Sequence, residues 1–382
     1  MKNYQKFFQR FSFIILFSVS VILFLIIDYS LKKTIVYFSA TVEDIYIKHP
    51  IYNHTFKKNS QIKVKHHLVE NYEIITNSLG FKDKKSRYIN QTSPKKRIVF
   101  IGDSFTEGVL LNYEDTFIGM IDKKLSTKNI EVLNAARSSY SPIIYWKKIE
   151  HLIKVEKLEF NELVVFIDIS DNQDEVERYE LNSGRVIYQQ EIAEVESLKK
   201  KIKSFINNNF IVTYKISDFV FDTLRLNTEE RKRKEIIQKM EETQNFWMNF
   251  INFSYNRDKW TIDNQAYEQY GKEGIVKMSK YMKKLKKLLD IHNIKMIIAV
   301  YPWVSQIWYE DLNSLQVKIW KEFSRENNIK FINFFPHMVK KGISENQKLD
   351  ILKKYYIPYD LHFNKNGNQL ISKIFLNEYL KE

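Results

Sequence analysis

Five short apolar runs alternate with amphipathic helical patterns, and this alternation limits the possible folds more than any other feature of the chain. The runs lie near 97–102, 129–134, 161–168, 294–301 and 329–334, and the helical patterns near 115–126, 141–156, 273–291 and 311–326. Strands joined by helices of this length need right-handed crossovers, which predicts a parallel sheet covered by helices on both faces. The expected fold class is therefore α/β, a flavodoxin-like, doubly wound parallel sheet of five strands. A last amphipathic stretch, from about Gln369 to Leu380, closes the chain as a helix.

The alternation is broken at about 172–265 by an insertion with a charged helical pattern from Glu229 to Glu242 and aromatics at Phe246, Trp247, Phe250, Phe253 and Tyr255. It reads either as a helical lid over the strand ends or as an elaboration with its own aromatic core, because aromatic stripes at helical spacing pack as readily as they bind. Ahead of the first strand, residues 34–90 read as a connecting arm with patches at Ile35–Phe38 and Ile45–Ile47. Residues 91–382 then form the main domain.

Residues 1–33 read as a cytoplasmic tail and membrane anchor. Phe11–Ile27 carries no charge and only three serines among apolar residues. Seventeen residues at ~1.5 Å each give about 25 Å, and flanking aromatics extend the span across a bilayer. Lys2, Lys6 and Arg10 precede it, whereas Asp28 offsets Lys32 and Lys33 after it. The positive-inside rule then predicts a cytoplasmic N-terminus and a periplasmic or extracellular main domain. The apolar run is long for a cleaved signal and has no prompt small-x-small site, so an uncleaved single-pass anchor is expected.

The chain has no cysteine, which excludes disulfides, thiolate catalysis and cysteine-based metal sites. His66 and His67 are adjacent, so their side chains diverge and they read as surface residues. No cofactor and no metal is expected. The formal charge of +14 comes mainly from scattered lysine. Runs such as Lys199–Lys203 and Lys283–Lys287 fit solvated helix faces, and no nucleic-acid partner is expected.

The first run ends on Gly102-Asp103-Ser104, which puts a hydroxyl at the carboxyl end of a strand, where open parallel sheets bind ligands. Near the end of the chain, Asp360 and His362 share one loop. A serine nucleophile needs a base of near-neutral pKa, and that base needs an anion to fix its tautomer. These residues also have structural uses: glycine for the turn, serine or asparagine as helix caps, and a histidine packed beside them.

With these two motifs the chain resembles the SGNH (GDSL-type) hydrolases, in particular membrane-anchored members linked to cell-surface polysaccharide acylation. Thr76–Asp83 looks like their entry segment and Val300–Val304 like their late strand and loop. The resemblance covers about 75–180 and 265–380. It implies Ser104 as nucleophile, His362 as base and Asp360 as its orienting partner. It also implies an oxyanion hole from the amides of Ser104 and Ala136 together with Ser170.

Two blocks depart from the family pattern. Asn134-Ala-Ala136-Arg-Ser-Ser139 replaces both of its usual glycines, and Ser170 in Asp168-Ile-Ser170-Asp171 stands where an asparagine amide is usual, with Asn172 as a fallback. Only one residue separates Asp360 from His362, where two are more usual. Tyr301 and Trp303 leave a core strand at the same edge, so a sugar ring stacked on Trp303 is one expectation and a buried Trp the other.

The expected function is a serine esterase or O-acyltransferase, with acetyl the expected group, acting on cell-envelope polysaccharide through an acyl-Ser104 intermediate. The family context adds a multi-span membrane acyl donor as partner. The competing readings are a lipase or thioesterase for longer acyl esters, and a non-catalytic glycan-binding module with a degenerate site.

Overall fold

The computed structural model describes residues 2–35, 45–64, 69, 71–189, 209–210, 212–213, 216, 251, 256–358 and 360–381. The chain divides into two compact units, Met1–Ala40 with Ala193–Gln244, and Thr41–Ile192 with Asn245–Glu382. In the first unit the described backbone is dominated by the helix Lys2–Ile35. Its stretch Phe11–Leu31, 21 residues of mean hydropathy 2.6, is long and apolar enough to cross a membrane.

The second unit opens with two small antiparallel pairs: β1 (Tyr46–His49) with β2 (Asn53–Phe56), and β3 (Gln61–Val64) with β4 (Tyr72–Ile75). The main sheet has five parallel strands, β5 (Lys96–Ile101), β6 (Ile130–Asn134), β7 (Glu162–Ile167), β10 (Lys295–Val300) and β11 (Lys330–Asn333). Between β7 and β10 lies the hairpin β8 (Tyr179–Asn182) and β9 (Arg185–Tyr188). The sheet order is β11-β10-β7-β5-β6. Counted within the sheet alone this is 2-1-3-4-5 read from the other edge, the flavodoxin-like order.

The sequence makes this sheet by burial. Strands β5, β7 and β10 are buried along nearly their whole length, as central parallel strands with helices on both faces must be. Helices Phe117–Ser126, Pro142–Lys154, Lys272–Ile291, Leu315–Glu326 and Lys365–Tyr379 cover them. The core runs through Phe100, Phe166 and Phe375, whose rings touch across the sheet.

Two expectations change here. The stretch read as a connecting arm is folded, and its buried side chains Phe56, Ile62, Val64, Tyr72 and Ile74 form a small core with Leu110 and Ile357. Four-residue strands that alternate exposed and buried residues, such as Gln61–Val64, give too short a pattern to register as sheet. The insertion read as helical opens with helical turns over Asp171–Arg178, but a hairpin follows them at once. Ser183 and Gly184 both take positive φ, 48° and 78°, which a two-residue type I′ turn requires. The helical pattern Glu229–Glu242 and the aromatics Phe246, Trp247, Phe250, Phe253 and Tyr255 lie outside the described residues, as do His66 and His67.

Candidate active site

In this strand order the chain reverses direction across the sheet between β5 and β7, and the crevice at their carboxyl ends is where ligands bind in such folds. Ser104 follows β5 and Asp168 follows β7. Gly102 makes the sharp turn possible: a Cβ there would stand 2.4 Å from Thr106 Oγ1 and 2.8 Å from the Phe166 carbonyl. The chain enters the short helix Ser104–Glu107 at once. The amides of Ser104 and Phe105 open that helix and so have no acceptor within it.

His362 comes from the loop that leads into the helix Lys365–Tyr379. Ile357 N–H donates to the His362 carbonyl at 2.9 Å and Asp360 N–H to the Ile357 carbonyl at 3.2 Å. Asn364 caps the helix by accepting from Gly367 N–H. The Asp360 Oδ1 atom receives His362 N–H at 2.8 Å and also the ring Nδ1–H. Side-chain exposure is 20% for His362 and 24% for Asp360, so both remain reachable. Burial works against the charge on His362, but the Asp360 carboxylate outweighs it and raises the imidazole above its ordinary value. Burial likewise disfavours the Asp360 charge, and His362 overcomes it, holding the carboxyl low.

Phe105, the residue after Ser104, brings this segment against His362. Its ring packs on His362 at 4.8 Å and on Phe363 at 4.8 Å, with Tyr301 at 5.0 Å and Trp303 at 5.6 Å. Among the described residues no hydrogen bond links the Ser104 hydroxyl to His362; such bonds commonly tighten only when substrate is bound.

The remaining expected site residues are placed differently from one another. Ala136 follows β6 near the helix Ser104–Glu107, but its N–H donates to Asn134 Oδ1 at 3.1 Å. Asn134 in turn donates to the Thr106 carbonyl at 2.9 Å. Ser170 is fully buried, and its hydroxyl donates to Asp168 Oδ1 at 2.7 Å instead of turning outward. Asn172 points away from the crevice and donates to the Gly271 carbonyl at 3.0 Å. Trp303 is 4% exposed, and its indole N–H donates to Asp168 Oδ2 at 2.8 Å, with the Tyr301 hydroxyl on the same oxygen. Of the two expectations for Trp303, the structure takes the buried one: the ring holds a carboxylate and offers no face for a sugar.

Asp168, unassigned by the sequence reading, is the centre of this polar layer, with four donors on its two oxygens. Its visible signal was a run of acids, Asp168, Asp171 and Asp174, directly after an apolar strand. Asp103 and Asp171 stand beside it, and the three residues can each offer an oxygen within 4.8 Å of the others. Such a trio could hold a cation, but protons balance it as well. Burial and the Asp168 charge push Asp103 up to about 7, and the same two causes push Asp171 well up. The Ser170 hydroxyl has one proton, which its 2.7 Å bond to Asp168 Oδ1 takes; the Asp103 carboxyl, 3.4 Å away, is the more distant of its two acceptors.

The loop after β6 is clamped from several sides. Ser138 N–H and Arg137 both donate to Glu107, at 2.7 and 2.9 Å, and the Tyr179 hydroxyl donates to the Ser139 carbonyl at 2.6 Å. The β1–β2 hairpin adds His54, whose Nε2 is 2.8 Å from the Ser138 carbonyl, and stacks Tyr46 on the Arg137 guanidinium at 3.9 Å. Burial lowers His54 to about 4, so it stays a neutral donor. Ser139 takes φ 63°, a glycine-like conformation kept without the glycine, and its N–H donates to Asp103.

No family model matches the sequence, and no curated protein sequence matches it either. Solved structures similar in fold include the psychrotrophic esterase EstA from Pseudoalteromonas sp., at 12% identity and TM-score 0.36, over 75% of this chain and 98% of that one. An acetyl xylan esterase, AlAXEase, is similar at 12% identity and TM-score 0.37, over 74% and 98% of the two chains. A lipolytic protein of the G-D-S-L family from Desulfitobacterium hafniense, described as putative, is similar at 14% identity and TM-score 0.34, over 73% and 99%. Similarity of that extent does not define an activity, which has to come from the chain's own site.

Proposed function

We propose that the protein is a serine esterase or O-acyltransferase that works through an acyl-Ser104 intermediate. The observation that carries this reading is the Asp360–His362 pair, whose ring packs on Phe105, the residue next to Ser104, at the switch point of the sheet. In the first step Ser104 Oγ bonds to the ester carbonyl carbon and passes its proton to His362 Nε2. The alkoxide leaves with that proton as the carbon–oxygen bond breaks. In the second step a hydroxyl attacks the acyl-serine, His362 takes its proton and returns it to Ser104. Water as acceptor gives an esterase; a sugar hydroxyl gives a transferase.

At the helix start the Phe105 amide has no acceptor within the helix and is the donor we assign to the developing oxyanion; the Ser104 amide already donates to the Asp103 carboxyl and joins it only by exchange. Ala136 N–H and the Ser170 hydroxyl already have acceptors and add to the hole only by exchanging them. Those engaged donors favour a second reading, in which the site binds glycans without turning them over.

The apolar helix ahead of the domain supports a cell-envelope polysaccharide as acceptor; acetyl as the group and a multi-span membrane protein as its donor rest on the resemblance to membrane-anchored SGNH hydrolases alone. The alternative is a longer acyl group, for which a cavity of about 320 Å³ walled in part by Leu110, Leu111, Ile357 and Pro358 offers room, although neither Ser104 nor His362 lines it. Turnover of p-nitrophenyl esters from acetate to decanoate, alongside acetyl release from acetylated polysaccharides, tests these choices. Fastest cleavage of acetyl esters with release from polysaccharide supports the acetyl reading; a decanoate preference supports the cavity, and no turnover by a folded protein supports the binding module.

A further inference from the structure

Asp28 interrupts the apolar helix near the end of its spanning stretch, and its carboxylate is almost fully buried within the N-terminal unit. It accepts the Val212 N–H at 2.6 Å, the Thr213 N–H at 2.8 Å and the Thr213 hydroxyl at 2.6 Å. One residue on, the Tyr29 ring meets Phe210 at 6.2 Å. Charge-assisted bonds to two backbone amides are strong and directional, so Val212 and Thr213 are tied to the helix at the level of Asp28.

These two residues belong to the same compact unit as the helix, not to the unit that contains the sheet. Ile216, just beyond them, is 54% exposed. In sequence the surroundings are apolar and aromatic, with Phe205, Ile206, Phe219 and Phe221, and Lys199–Lys203 precedes them. Aromatic and aliphatic residues beside a basic cluster suit the boundary of an anionic bilayer, where rings sit at headgroup level and lysines meet lipid phosphate.

We propose that Phe210, Val212, Thr213 and Ile216 belong to a second membrane-associated element, docked on the anchor through Asp28 and resting on the anionic lipid surface. It gives the protein two contacts with the bilayer, one spanning and one lying on it.

The absence of native cysteine makes the test direct in the full-length chain. Single cysteines at Ile216, Leu23 and Tyr88 are labelled with an environment-sensitive fluorophore. The protein is reconstituted in phosphatidylcholine vesicles with and without phosphatidylglycerol, and quenching by spin-labelled lipid is measured. Tyr88, 77% exposed in the other unit, reports the aqueous baseline. The proposal expects strong quenching and blue-shifted emission at Ile216, well above Tyr88 and enhanced by phosphatidylglycerol. Quenching at Ile216 equal to that at Tyr88 overturns it, provided Leu23 is quenched; an unquenched Leu23 overturns the anchor itself and the proposal with it. In Asp28→Leu, quenching at Ile216 falls toward baseline while Leu23 is unchanged, and Ile216 still quenched there overturns the docking through Asp28.

Discussion

A single oxygen of Asp360 receives both the backbone N–H and the ring Nδ1–H of His362. The first bond is an Asx-type turn, available because only one residue separates the pair, and it places the imidazole for the second. The short spacing, a departure from the family pattern, thus yields an oriented imidazole, as the proposed base requires. The ionised carboxylate only accepts, so the ring proton sits on Nδ1 and Nε2 is left to take a proton.

Asp360→Asn is therefore expected to lower kcat by about 10,000-fold, because an amide neither fixes the tautomer nor stabilises the imidazolium. Loss of the carboxylate charge also lowers the His362 pKa, so the acid limb of kcat/KM moves to lower pH in this variant. A pH–rate profile of both proteins checks the shift.

Activity and stability should peak at different pH. The raised His362 pKa gives stability that is complete below the ordinary histidine value and lost as pH rises through the raised one; the lowered Asp360 pKa gives stability complete above the ordinary aspartate value and lost below it. Both contributions are complete only between about 3.9 and 6.5. Catalysis needs neutral His362 and rises above that window. Urea melts and rates across pH 4–9 should show activity still climbing where the pair's contribution to stability declines.

Asp103 works in the opposite sense to an ordinary carboxylate. With its pKa pushed up to about 7 by burial and Asp168, the native state holds a proton that the unfolded chain releases near 3.9, so stability declines as pH rises between those values. Asp103→Asn keeps an oxygen for the Ser139 N–H and removes the ionisation. Its denaturation free energy is expected to depend less on pH from 4 to 7 than that of the wild type.

Trp303→Phe removes one of the donors to buried Asp168 while keeping an aromatic ring beside Phe105. It is expected to cost about 1–3 kcal/mol in denaturation, the range for a lost partner of a buried polar group. Its KM for sugar esters should change little, because the indole has no exposed face.

Ser139→Gly should leave stability within about 1 kcal/mol of wild type, since glycine takes the positive φ without strain. Ser139→Val is expected to lose at least ~1–3 kcal/mol, because a β-branched residue resists that conformation. Chemical denaturation of the two variants distinguishes them.

The sheet was legible because its strands are continuous apolar runs between helical patterns, and the expected strand near 161–168 differs from β7 by one residue at each end. The N-terminal hairpins were not, since a four-residue alternation such as Gln61–Val64 is visible only once its buried face meets Leu110 and Ile357. Asp360 and His362 could be paired from their shared loop. The hydroxyl of Ser170 could not be oriented, because the choice between Asp168 and the crevice depends on a neighbour's position and not on sequence order. Ser139 shows the same limit from the other side: the glycine-like backbone persists without glycine because Asp103, Tyr179 and the clamp on Ser138 hold it.

The most direct test of the central claim is intact-mass spectrometry of the full-length protein in detergent after exposure to a fluorophosphonate, with Ser104→Ala in parallel. The structure predicts one adduct on the wild type, absent from Ser104→Ala and much slower to form in Asp360→Asn. A folded wild type that forms no adduct, or one that persists in Ser104→Ala, would contradict Ser104 as an activated nucleophile.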